Sequence, residues 1–225
     1  MPNTRRAQRV RLNQRDYETI GTLADLRAIR LDDLASLLAT YGNRSGPLGE
    51  RTTRAIVARW VRLELAGTHP NPRGGLGIVS ISKNGATLAR LSDDRPPGVP
   101  TGLPAWRDLP HDLTTAAVAV SLISAHRCAW TGVATVRAQL PHGTHLPDGV
   151  ATTTKGRTIA IEVERTAKSG TRWREYISEN LERWQFIAYY GAPSVAKALR
   201  TWLPENLPTQ DAQRVRVYDL GGWAR

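Results

Sequence analysis

Residues 146–169, LPDGVATTTKGRTIAIEVERTAKS, carry three carboxylates, Asp148, Glu162 and Glu164, in a stretch otherwise apolar or hydroxyl-rich. The chain has only 20 acidic residues against 31 Lys and Arg, so their concentration here asks for a chemical reason. In TIAIEVER the side chains alternate as on a strand: Ile159, Ile161 and Val163 share one face, and Ala160, Glu162 and Glu164 the other. A two-residue turn at Lys155-Gly156 places Asp148 across from Val163, and a shift of one residue places it across from Glu162. Either register sets Asp148 beside the glutamates. Like charges so placed repel and weaken a sheet. A divalent cation would neutralise them, and carboxylate oxygens suit Mg²⁺ or Mn²⁺. Asp148 and Glu162 are the candidate metal ligands. Such an ion polarises a phosphodiester and lowers the pKa of an attacking water. The plainer alternative is a solvated hairpin face, or the relic of a site that has lost its metal.

The net charge of +11 and the pI near 10.6 point to a polyanionic partner, nucleic acid before anionic membrane. Of the basic residues, 27 are arginine and four are lysine: Lys83, Lys155, Lys168 and Lys197. The single Cys128 excludes an internal disulfide framework and a cysteine-rich zinc site. The opening MPNTRRAQRVRLNQRD is basic without an apolar segment behind it, and the chain has no run long and apolar enough for a membrane span. A soluble, cytoplasmic protein without a membrane partner is expected.

Residues 92–110, rich in Pro and Gly, read as a linker between residues 1–91, with net charge +8, and residues 111–225, with +4. The first half reads as three helices followed by a Gly-rich hairpin, the order of a winged helix-turn-helix. The helices are RDYETIGTLADLRAI, LDDLASLLATYG ending at Gly42, and ERTTRAIVARWVRLELAG ending at Gly67. GGLGIVSISKNGATLARL then supplies a strand, an Asn-Gly turn and a further stretch. On a wheel at 100° per residue, Arg51, Arg54, Arg59 and Arg62 share one face of the third helix, opposite Ile56, Val57, Trp60 and Leu63. A third helix is where a recognition helix belongs. Arg73 and Lys83 flank the expected wing, within reach of phosphates. Double-stranded DNA is the expected partner.

In the second half, HDLTTAAVAVSLISAH reads as a buried helix and CAWTGVATVRAQL as a strand. HLPDGVATTT and RTIAIEVER form the hairpin. A long helix, TRWREYISENLERWQFIAYYG, follows, then a helix around SVAKALRTWL and a last strand, RVRVYDL. Helix, three strands, helix, strand is an α/β sandwich with a mixed sheet. His111 beside Asp112 sits at a helix start, and His142 and His145 flank the Pro-Asp strand.

Pro147-Asp148, followed by Glu162-x-Glu164, resembles the PD-(D/E)xK nuclease superfamily with the usual lysine replaced by glutamate. The winged helix, then HDL, LPDG, IEVERTAKS and an Arg-rich amphipathic helix resemble the replication-relaxation family of bacterial plasmids and mobile elements, over nearly the whole chain. That resemblance implies a restriction-endonuclease-like second domain, with Asp148 and Glu162 as metal ligands. It puts Glu164 where a lysine would orient the nucleophilic water, and makes Lys168 a displaced counterpart of that lysine. Gln185 and Tyr189 are similar to a helix motif of some branches. Three functions follow: a DNA-binding replication or mobilisation protein that nicks DNA with Mg²⁺ or Mn²⁺; the same protein binding without cutting, alongside other replication or mobilisation proteins; or a plain winged-helix regulator.

Overall fold

The computed structural model describes residues 11–72, 74–93 and 96–222. The chain is mixed α/β, with a small antiparallel sheet and a five-stranded mixed sheet. Helix α1 (Gln14–Leu26) is followed by β1 (Ala28–Arg30), α2 (Leu31–Tyr41) and α3 (Glu50–Arg62). Strands β2 (Ala66–His69) and β3 (Ile78–Ile81) form a hairpin, and α4 (Lys83–Asp93) closes this half. The second half runs α5 (Leu109–His126), β4 (Ala129–Gly132), α6 (Val133–Gln139), β5 (Gly149–Thr152), β6 (Thr158–Glu164) and α7 (Gly170–Arg183). It ends with β7 (Phe186–Gly191), α8 (Pro193–Asn206), α9 (Thr209–Ala212) and β8 (Val215–Asp219).

Local chemistry explains most of these boundaries. Asn13 caps α1 by accepting from the Asp16 N–H, while Asp16 accepts from the Asn13 N–H, each at 3.0 Å. Helix α3 stops at Leu63 rather than Gly67, because Glu64 takes a left-handed φ of 56° and the Leu65 N–H turns back to the Trp60 carbonyl. Gly67 belongs to β2. The Asn84-Gly85 pair, expected as a turn, lies inside α4, where Ser82 accepts from the Gly85 N–H at 3.0 Å. A Cβ at Gly85 would stand 2.1 Å from the Leu65 carbonyl oxygen, so glycine serves close packing of α4 on the segment entering β2.

The first sheet has the order β1-β3-β2, all antiparallel. The second has the order β4-β5-β6-β7-β8, antiparallel from β4 to β6 and parallel from β6 to β8. CAWTGVATVRAQL divides into β4 and α6, and the sheet has five strands instead of the expected four because the expected long helix ends at Arg183. FIAYYG is then the buried β7, so Gln185 precedes a strand and Tyr189 sits in it, not on a helix. Apolar aromatic runs satisfy either a buried helix or a central strand, and here the parallel pairing with β6 decides.

Alternation along β6 is as the pattern implies. Ile161 and Val163 join the core under α5, while Ala160 faces Trp173, Tyr176 and Ile177 of α7. That first core also contains Leu34, Leu37 and Leu38 of α2 together with Ala116, Val120 and Ile123 of α5, so one apolar body runs through both halves. The intervening segment is pinned rather than loose. Its Gly102 N–H donates to the Ile81 carbonyl at 2.8 Å, and the Arg27 guanidinium donates to the Gly102 and Leu103 carbonyls at 3.3 and 3.4 Å. No helix among the described residues is long and apolar enough to cross a membrane.

Candidate functional site

The β5–β6 ladder pairs Gly149 with Ile161, so one further step sets Asp148 opposite Glu162. This is the shifted register; the connection spans residues 153–157, and Gly156 takes a φ of 74°. Asp148 is anchored to β6 at both ends: its N–H donates to the Ile161 carbonyl at 2.9 Å, and its Oδ2 accepts from the Val163 N–H at 2.8 Å.

Glu162 is 6% exposed, and its Oε1 accepts from the Lys168 ammonium at 2.6 Å. The same Nζ lies 2.8 Å from Glu164 Oε2, and 5.3 Å from the centre of the Tyr176 ring. Lys168 therefore ties both glutamates together from the loop after β6. Burial pushes the Glu162 carboxyl up to about 7, helped by the neighbouring Asp148 charge and opposed by Lys168. For Lys168, burial disfavours the ammonium, but the two glutamates outweigh it and the pKa rises. Glu164 also accepts from the Thr166 N–H and hydroxyl, each at 3.3 Å, and from the Tyr189 hydroxyl at 3.5 Å. Tyr189 faces Glu162 across the β6–β7 register. The Tyr176 hydroxyl is buried facing Glu162, and burial first, then the Glu162 charge, raises its pKa.

The residue that sequence reasoning undervalued is His111. Its Nε2 lies 3.3 Å from Asp148 Oδ2 and 3.1 Å from the Val163 carbonyl, and its Nδ1 lies 3.4 Å from Asp112 Oδ1. Both ring nitrogens thus face acceptors, a setting that suits the imidazolium. Hydrogen bonds to Asp112 and then Asp148 raise its pKa to about 10, against the opposing effect of burial. The signal was a titratable pair at a helix start, which reads equally well as capping. His145 does not join the cluster; its Nδ1 lies 3.0 Å from Glu179 Oε1 and ties the loop before β5 to α7.

Could Asp148 and Glu162 hold a cation? Among the described residues, no three His, Cys, Asp or Glu side chains form a group able to hold a metal ion. Mg²⁺ needs less, since it is commonly bound through one or two carboxylates, with water and substrate phosphate completing its shell. Asp148 and Glu162 are the pair of hard-oxygen donors on this face, and a cation would offset the burial and the Asp148 charge that together raise Glu162. Lys168 sits on one oxygen of each glutamate, at 2.6 Å from Glu162 and 2.8 Å from Glu164, so a cation at this face would compete with that ammonium.

The arginines of α3 divide into two groups. Arg51, Arg54 and Arg62 are exposed, and Arg54 pairs with Glu50 at 2.7 Å. Arg54, Arg62 and His69 line a groove of about 750 Å³ between α3 and the β2–β3 hairpin. Arg59 is a correction: it turns toward α1, and its guanidinium lies 2.5 Å from Asp16, which is 0% exposed. It holds the fold together instead of facing a ligand. Lys83 is exposed as the first residue of α4, at the base of the hairpin. Arg73, in the hairpin loop, lies outside the described residues. No family model, curated protein or solved structure matches the chain.

Proposed function

We propose that the chain is a DNA-binding protein of plasmid or mobile-element replication, relaxation or mobilisation, whose C-terminal half nicks DNA with a divalent metal. The first half acts as a winged helix-turn-helix and the second as a PD-(D/E)xK-like unit. One observation carries this: Lys168 lies within hydrogen-bond distance of Glu162 and Glu164, beside Asp148. A lysine thus stands next to the acids although IEVE lacks one at the usual position. The exposed Arg51, Arg54 and Arg62 on a chain of net charge +11 support the DNA half of the proposal.

In this mechanism Asp148 and Glu162 would hold Mg²⁺ or Mn²⁺, which supplies Lewis-acid stabilisation of phosphate charge and a more acidic bound water. Asp148 is oriented by the Val163 N–H and His111. Lys168 holds Glu162 in place and presents a cation beside the site. Glu164, which accepts from the Tyr189 hydroxyl, holds Lys168 in turn. Arg54 and Arg62 bind backbone phosphates in the α3 groove.

A second reading is favoured by the same lysine. Lys168 already balances Glu162 and Glu164 without a metal, as in a binding protein whose acids are only structural. Relaxation of supercoiled plasmid with Mg²⁺ or Mn²⁺ separates the two. Nicking by wild type that is lost in Asp148→Ala, Glu162→Ala and Lys168→Ala supports the nickase. DNA binding without nicking under either metal supports the accessory factor.

A further inference from the structure

The two chain segments that lead into the acidic cluster also line a cleft that the proposed function leaves unused. Pro110 precedes His111 and Arg165 follows Glu164, and both border a cavity of about 680 Å³ shared with Arg30, Trp106 and the Gly74-Gly75 part of the hairpin loop. This volume lies within the range of small-molecule sites. Trp106 is 63% exposed on the wall of this cavity. Its backbone is held: the Ala105 carbonyl accepts from the Asp108 and Leu109 N–H groups at 2.9 Å, and Leu103 packs beside Leu109 and Leu113. The indole is therefore presented from a fixed platform, with large apolar faces open to a stacking partner.

The charged groups at the cleft choose among partners. Arg30 donates to the Leu113 carbonyl at 3.5 Å and pairs with Asp33 at 3.8 Å. Arg165 is exposed and makes no ion pair with a described residue, so its guanidinium is available to an anion. Among the described residues, Asp32 is the one carboxylate on the lining, against Arg30 and Arg165. An exposed aromatic face and an arginine without an ion pair among the described residues, lining one cleft, are the elements that hold single-stranded nucleic acid, by base stacking and phosphate contact.

We propose that this cleft takes an unpaired nucleotide of a DNA strand, its base stacked on Trp106 and a phosphate on Arg165, and so leads a single strand to the Asp148–Glu162 cluster. A paired base in a duplex is stacked on both faces, so a side chain can replace a neighbour only where the strand is open. Delivery to the cluster rests on the proposed nicking function; capture of the single strand does not.

The test is fluorescence anisotropy with labelled single-stranded and duplex oligonucleotides of one sequence, in EDTA. The full chain is compared with Trp106→Ala, Trp106→Phe and Arg165→Ala. Trp106→Ala is expected to weaken single-strand binding by about ten- to a hundredfold, with Trp106→Phe recovering most of it. Duplex binding should change by no more than about twofold in these variants, since it rests on phosphate contacts made by α3. Circular dichroism checks that each variant is folded. Single-strand affinity unchanged in both Trp106→Ala and Arg165→Ala overturns the proposal, including the case in which the cleft serves a peptide. Failure is separable from that of the proposed function: Trp106-dependent capture without plasmid nicking leaves the cleft standing and removes the nickase. Nicking without Trp106-dependent capture does the reverse.

Discussion

Replacing Glu162 by Gln isolates the energetics of the acidic cluster. Gln keeps the volume and most polar contacts but removes a charge that is 6% exposed and faces Asp148. The folded-state pKa is about 7 against an ordinary value of 4.5, so the folded protein holds this proton more tightly than the unfolded chain. The sign follows. Stability associated with protonated Glu162 is complete below pH 4.5, is lost as pH rises to about 7, and changes no further above that. One pKa unit is worth about 1.4 kcal/mol, so ionised Glu162 in metal-free protein destabilises the fold by roughly 3–4 kcal/mol at pH 8. Glu162→Gln should match wild type at pH 4 and exceed it by that amount at pH 8. For a chain of this size, that is a rise in Tm of about 6–16 °C. Thermal unfolding in EDTA from pH 4 to 8 measures the difference, and other titrating groups cancel between the two proteins. Added Mg²⁺ should raise the Tm of wild type and leave the variant unmoved. A variant less stable than wild type at pH 8 would refute the reasoning, because Lys168 would then outweigh burial and Asp148 together.

The basic face and the packing yield three further outcomes. Arg54→Ala with Arg62→Ala should lower the slope of log affinity against log salt by about 2 in filter binding, with no change in Tm beyond about 1 °C, because both side chains are exposed. Arg59→Ala should do the opposite: the carboxylate of Asp16, 0% exposed, loses its close guanidinium partner, and urea unfolding should show a loss of roughly 2–3 kcal/mol with DNA affinity within about twofold of wild type. Gly85→Ala should cost roughly 1–3 kcal/mol in the same assay, because its Cβ would meet the Leu65 carbonyl oxygen at 2.1 Å.

The acidic cluster was legible because strand alternation and a hairpin need only local information. Period two put Glu162 and Glu164 on one face, and the turn brought Asp148 alongside within one residue of register. His111 and Tyr176 were not legible as members, since they arrive from α5 and α7 and no short-range pattern links them to β6. Arg59 failed for a related reason. The wheel assigns it to the basic face, and only the packing of α1 against α3 reveals the buried Asp16 that claims it. The strand β7 was missed because a buried parallel strand and a buried helix are both continuous apolar runs.

The shared core bears on how binding and cutting would be coupled. A flexible linker would leave the cluster free to sample many phosphates around a bound duplex, and cutting would be imprecise in position. Instead α5 packs on α2 through Leu37, Leu38 and Val120, and on the sheet through Ile161 and Val163. His111, at the start of that same helix, orients Asp148. One helix therefore fixes the arginine groove and the acidic cluster in a single body, and a duplex held at α3 would meet the cluster at a set distance. Nicks by such a protein should fall at a fixed offset from the bound site. Insertion of residues after Pro97 should leave that offset unchanged, because α5 and not the connecting segment holds the two halves together. Primer extension on nicked plasmid reads the offset directly, and a cut position that moves with the insertion would show that the linker sets it.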